Sequence, residues 1–149
     1  MSAETLSLNI EKKLSVFTIE VSQILTLEGT TAIFGPSGAG KTTLMRLIAG
    51  FEPPDTGRIA LGKDVWFDAN AKISMPPHAR PAGYMFQDTR LFPHLSVIGN
   101  LDFADKRSAG YESKYTLNDI AEAFAITSLL DRRIETLSGG ERQRVALAR

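Results

Sequence analysis

Thr30-Thr31-Ala32-Ile33-Phe34-Gly35-Pro36-Ser37-Gly38-Ala39-Gly40-Lys41-Thr42-Thr43 is the stretch on which the reading of this chain turns. A compact, β-prone run from Thr30 to Phe34 stops at a glycine-rich turn, the pattern of a strand buried on both faces. Past the turn, Leu44, Leu47 and Ile48 recur at helical spacing, and Gly50 stands where a C-cap glycine belongs. The expected order is strand, glycine turn, helix. Gly35 to Thr42 satisfy G-x-x-x-x-G-K-[ST]. Such a loop turns its backbone N–H groups inward on a polyphosphate, and glycine is needed where a side chain would obstruct that approach. The helix starting near Lys41 aims its positive end at the same anion. Lys41 would reach the β- and γ-phosphates and the Thr42 hydroxyl would ligate Mg²⁺. The bland reading, a glycine-rich loop with an incidental lysine, does not account for the β-run before it and the amphipathic helix after it. The motif therefore predicts a nucleotide site.

Outward from this stretch, Leu6, Leu8 and Ile10 alternate with polar residues, and Val16, Thr18 and Glu20 do so less cleanly; both read as short strands. Phe51 to Gly57 holds two prolines and a glycine and reads as a loop. Ile59 and Leu61, then Val65 and Phe67, alternate on either side of Gly62-Lys63, a hairpin pattern. Met75 to Pro81 carries three prolines and reads as an irregular connection, after which Tyr84-Met85-Phe86 resumes a strand. From Ser96 the pattern turns helical. Leu117, Ile120, Ala121 and Phe124 fall on one helix face, with Thr116 as N-cap before Asp119, and a last helix starts near Gly140 and runs through Val145.

A second phosphate-binding candidate is Leu137-Ser138-Gly139-Gly140-Glu141-Arg142-Gln143. A serine and two glycines at a helix start form a nest of N–H donors, although a plain N-cap would look the same. Between the two motifs stands Phe86-Gln87-Asp88, which in isolation reads as a strand-end glutamine facing solvent. Taken together and in this order, the three segments resemble the ATP-binding cassette (ABC) ATPases: a P-loop, a Q-loop at Gln87 and an LSGGE-x-Q signature. The likeness covers essentially the whole chain. Within the family it is strongest to the branch that serves molybdate import, carried by Ala32–Gly35, Ser37–Thr42, Gly83–Asp88 running into Arg90–His94, Gly99–Leu101 and Leu129–Arg132. Branches serving sulfate, thiamine, iron or polyamines carry related ATPases.

The resemblance implies an α/β fold of ABC ATPase type: a P-loop core with an antiparallel β subdomain, then an α-helical subdomain. Residues 1–86 would form the core and β subdomain, 87–137 the Q-loop and helical subdomain, and 138–149 the signature helix. It implies ATP and Mg²⁺ on Gly35, Pro36, Ser37, Gly38, Ala39, Gly40, Lys41, Thr42 and Thr43, with Lys41 and Gln87 as catalytic residues and Thr42 and Gln87 toward the metal. Leu137, Ser138, Gly139, Gly140, Glu141 and Gln143 would cover the ATP of a second, head-to-tail ATPase subunit. A transmembrane permease would be the direct partner and a solute-binding protein an indirect one, which places the subunit on the cytoplasmic face of the membrane. Leu91 and Phe92 fall where the family receives a coupling helix from the permease; closing the local core is an equally good reading of each. His94 reads as a surface histidine.

Two departures from the family pattern matter. An aromatic ring usually stacks on adenine upstream of the P-loop; here Glu11-Lys12-Lys13 occupies that region, and Phe17, the nearest aromatic, reads as a core strand residue. After the signature the family continues into a strand ending in a Mg²⁺-anchoring aspartate and a water-polarising glutamate, and later a switch histidine. The 149 residues hold no such segment, so the C-terminal part of the fold is expected to be missing, the Thr30–Phe34 strand to lack a neighbour, and ATP hydrolysis by this chain alone to be weak or absent. A non-catalytic nucleotide-binding fragment is the alternative this leaves open.

Composition narrows the field further. Lysine plus arginine and aspartate plus glutamate both number 17, giving zero formal net charge, which disfavours sequence-independent nucleic-acid binding. A P-loop ATPase of DNA repair or translation would bring coiled-coil insertions or a basic surface, and neither is present. The absence of cysteine removes disulfides, thiolate catalysis and Cys-based metal sites. No apolar run approaches the roughly 18 residues that span a bilayer. Met1-Ser2-Ala3-Glu4 does not begin an export signal, so the default address is the cytoplasm.

Overall fold

A computed structural model of the chain describes residues 4–107 and 114–149; residues 108–113, within the expected helical portion, lie outside the described residues. The chain divides into two units, Met1–Tyr84 and Met85–Arg149.

The first unit is built on a five-stranded antiparallel sheet ordered β2-β1-β3-β4-β5, from β1 (Thr5–Lys13), β2 (Thr18–Thr26), β3 (Thr56–Leu61), β4 (Asp64–Asp68) and β5 (Ile73–Ser74). Period-two alternation in β1 turns Leu6, Leu8 and Ile10 to one face, where they are buried with Ile59, Leu61, Trp66 and Phe67. Onto this face packs α1 (Lys41–Ala49), whose Leu47 is fully buried in the same core. Burial of such a leucine contributes about 2 kcal/mol. The β3–β4 pairing slips between Ile59 and Ala60, so that Ile59 faces Phe67 and Ala60 faces Val65. The extra residue is Trp66, and this bulge allows both Trp66 and Phe67 to be buried although they are adjacent.

Two expected strands do not form. Thr30–Phe34 carries no ladder, and Ile33 and Phe34 are 41% and 92% exposed. A strand exists only through its neighbours' N–H and C=O groups, and none of the described residues offers this segment a partner. Tyr84-Met85-Phe86 likewise forms no ladder. The second strand begins at Thr18, leaving Val16 outside it and 88% exposed.

The second unit is helical: α2 (Val97–Asp105), α3 (Leu117–Ala123) and α4 (Gly139–Ala148) enclose a core of Val97, Leu101, Ala121, Ile126, Leu129, Ile134, Leu137 and Val145. Each helix starts at a side-chain cap. Ser96 accepts from the Gly99 N–H, and Thr116 with Asp119 forms a reciprocal capping box, as the Thr116 reading anticipates. Asn100 is fully buried and satisfied: its side chain accepts from the Phe92 N–H at 2.8 Å and donates to Phe92 O at 3.2 Å and Ser96 O at 3.0 Å. Phe92 packs edge-on to Phe103, and Leu91 is partly buried against the core.

Candidate functional site

In the first unit the glycine-rich loop wraps the amino end of α1. Gly40 caps that helix with φ 86°, a left-handed conformation that side chains resist, and a Cβ there would meet the Ile19 side chain at 2.8 Å and the Phe17 ring at 3.3 Å. Glycine is thus required here by the fold itself. No side chain caps α1, and its first turn carries no acidic residue. Its leading N–H groups are left without the partner that a helix start ordinarily finds in its own side chains. Lys41 extends back along the loop, its ammonium donating to Gly35 O at 2.9 Å and Pro36 O at 2.7 Å. A positive centre therefore stands beside the helix end, tethered by carbonyls and not by a carboxylate. Ser37, Gly38, Ala39, Gly40, Lys41, Thr42 and Thr43, with Leu14, line a concavity of about 270 Å³. Phe17 lies just before β2 and borders an adjoining hollow with Ile33, Phe34 and Lys41. It leans on the phosphate loop and is 39% exposed, so its reading as a core strand residue is corrected.

The carboxyl end of α1 is closed as firmly as its amino end is open. Gly50 caps it at φ 84°, and beside it the Arg80 guanidinium is buried, 5% exposed. Burial pushes its pKa down from the usual arginine range. Sequence reasoning missed Arg80 because nothing local marks it: it sits in the proline-rich connection, and its partners come from α1, from β4 and from Met75 at the head of that connection.

In the second unit, Gln87 is exposed in an irregular segment. Ser138, Gly139 and Gly140 are exposed at the start of α4, whereas Leu137 is buried and belongs to the core, so its side chain is not presented to a ligand. Ser138 Oγ accepts from the Glu141 N–H at 3.3 Å while the Ser138 N–H donates to Glu141 Oε2 at 2.6 Å, a full capping box. These bonds from Ser138, assisted by Arg132 and Arg144, hold the Glu141 carboxyl below its ordinary pKa. A Cβ at Gly139 or Gly140 would meet nothing within 4 Å. Arg142 and Gln143 follow on the first turns of α4. Ser37–Thr43 thus line one concavity and Gly35 and Pro36 stand outside its lining, holding the Lys41 ammonium through their carbonyls, while Gln87 and Leu137–Gln143 belong to the other unit.

A glycine turn, an uncapped helix start and a lysine folded over the loop make the phosphate-gripping arrangement of the P-loop nucleotide-binding proteins. The chain belongs to the ABC transporter family, whose model matches residues 20–149. It is 50% identical over 133 residues to the molybdenum import ATP-binding protein ModC of Methylococcus capsulatus, a match covering 89% of this chain and 36% of that protein. It is 44% identical over 144 residues to the protein of the same name from Paramagnetospirillum magneticum, covering 97% of this chain and 39% of that one. Among solved structures, an ATP-binding subunit of an ABC transporter superposes with a TM-score of 0.74 at 18% identity, over 99% of this chain and 60% of that one. The fold is accordingly of ABC ATPase type. The chain spans only 36–39% of the length of these two curated relatives.

Proposed function

We propose that this chain is the ATP-gripping part of an ABC importer's ATPase subunit, with molybdate as the transported solute. The observation that carries the reading is the open amino end of α1, with Lys41 folded beside it, in a chain half identical to a molybdenum import ATP-binding protein. The N–H groups of residues 38–43 would cradle the phosphates, Lys41 would release its two carbonyls to reach the β- and γ-phosphates, and the Thr42 hydroxyl would face Mg²⁺. The cation would be held largely by the nucleotide's own phosphates. Bound ATP supplies the cleavable phosphoanhydride; the chain's contribution is to orient it and offset its charge.

Gln87 would face the metal and the attacking water. Ser138, Gly139, Gly140, Glu141 and Gln143 would cover the nucleotide of a second, head-to-tail subunit, so that ATP joins two copies and its hydrolysis releases them. A transmembrane permease would receive this motion on the cytoplasmic face of the membrane, with a solute-binding protein acting beyond it; no helix among the described residues is itself long and apolar enough to cross a membrane. By themselves the 149 residues would turn ATP over weakly or not at all, since they contain no match to the family's metal-anchoring aspartate, water-polarising glutamate or switch histidine. Titration of the chain with a fluorescent ATP analogue in Mg²⁺ tests the core of the reading. Saturable binding displaced by ATP is expected, and its absence sinks it. Restoration of molybdate-dependent growth by the complete subunit, and not of sulfate or thiamine uptake, tests the solute.

A further inference from the structure

The Arg80 guanidinium is held by four carbonyls of the first unit. Its Nε donates to Met75 O at 3.0 Å, its Nη1 to Leu47 O at 3.0 Å and to Ile48 O, and its Nη2 reaches toward Trp66 O at 3.5 Å. The group also lies over the Trp66 ring, 5.6 Å from its centre. No carboxylate is among these partners. What offsets the buried charge is a set of carbonyl dipoles, two of them in the last turn of α1, where the helix carries its negative end. Gly50 makes this approach possible, because a Cβ there would stand 2.7 Å from Arg80 Cζ and Nε. One planar fork thus ties the end of α1 to the Trp66 bulge of β4 and to the Met75 turn.

That tie bears on the phosphate loop because α1 is one rigid rod of nine residues, about 13 Å long at 1.5 Å per residue. Its far end carries the N–H groups and Lys41, and the exposed loop residues before it have no sheet ladder to steady them. Resting on the nucleotide-site reading, we propose that Arg80 is a positioning residue of the phosphate site: by locking the carboxyl end of α1 to the sheet it sets where the amino-end amides point. A lysine keeps the charge but cannot engage several carbonyls through one planar fork.

The test measures MgATP affinity by displacement of a fluorescent analogue, at a temperature where circular dichroism shows each variant folded. Arg80→Lys and Gly50→Ala should each weaken binding by about tenfold, the scale on which charge-assisted bonds to phosphate lose alignment. Gly62→Ala is the control for backbone strain alone: it too sits at positive φ, 53°, but a Cβ there would meet nothing within 4 Å, and it should leave affinity unchanged. Trp66, the chain's single tryptophan, gives a reading that needs no variant, since its emission should change when MgATP saturates the parent chain. Folded Arg80→Lys and Gly50→Ala chains that bind like the parent would overturn the proposal, as would parent emission indifferent to bound nucleotide. If the parent binds and Lys41→Ala does not, those results refute the role of Arg80 and leave the nucleotide site standing. A parent chain that binds no MgATP refutes both.

Discussion

The amino ends of α1 and α4 both follow a serine- and glycine-containing turn, yet the chain treats them in opposite ways. At α1 the glycine is demanded by the fold, the first turn has neither cap nor acid, and the Lys41 ammonium lies back over the loop. At α4 the Ser138 and Glu141 N–H groups are taken by the Ser138–Glu141 box, and the two glycines fill no geometric need. Glycine costs a helix up to about 1 kcal/mol relative to alanine. The difference teaches that the start of α1 leaves its leading N–H groups without a side-chain cap, whereas α4 carries a reciprocal cap and keeps its outer surface bare. The bareness of α4 is an argument for contact, since folding alone would favour side chains there.

Breaking the comparison at its open end should have the largest effect. Lys41→Ala removes the charged side chain that lines the α1 concavity and is expected to weaken MgATP binding by about a hundredfold or more, read by the same titration, with little change in melting temperature. Gly40→Ala should cost about 1–3 kcal/mol in urea denaturation, from the left-handed backbone and the Ile19 contact, and should impair binding as well. At the closed end, Ser138→Ala loses the cap and should destabilise by about 1 kcal/mol while leaving MgATP affinity at the P-loop intact. Gly140→Ala runs the other way: it should stabilise the chain by up to about 1 kcal/mol, and a loss of head-to-tail pairing in the complete subunit would show what the bare surface is for.

The smallest expected effect sharpens the contrast through pH. Glu141 has its folded pKa held below the ordinary value of 4.5, first by the bond from the Ser138 N–H. Its contribution is present above that ordinary value and disappears as pH falls through the folded one. Melting temperatures of the parent and Glu141→Gln chains should converge as pH drops below about 4.5 and differ by a constant amount above it. A difference that instead widened on acidification would contradict the box. Asp119 is held down in the same way by Thr116, so only the comparison with Glu141→Gln isolates the α4 term.

How much was legible follows the range of the interactions. The P-loop, the Gly50 cap, the Gly62-Lys63 hairpin and the Thr116 cap are stated within a few residues of themselves, and each stands where its pattern places it. The Thr30–Phe34 run misleads because strand propensity describes a residue's fitness for a sheet, and a sheet needs a neighbour that no local pattern can supply. Phe17 misleads likewise: its apolar ring reads as core, but the surface it covers is a loop more than twenty positions away. Arg80 is invisible in one dimension, since its acceptors at Leu47, Ile48, Trp66 and Met75 come together only after the sheet, bulge and helix are assembled.

Local chemistry therefore pointed to the kind of site: which turn would grip phosphate, which helix follows it, and which residue types line the concavity, because backbone conformation and helix polarity are set by adjacent residues. Tertiary structure alone decided that the β-prone run before the P-loop goes unpaired and that a distant arginine clamps the far end of α1. Those outcomes depend on which groups compete for the same hydrogen bonds in space, and order along the chain does not contain that competition.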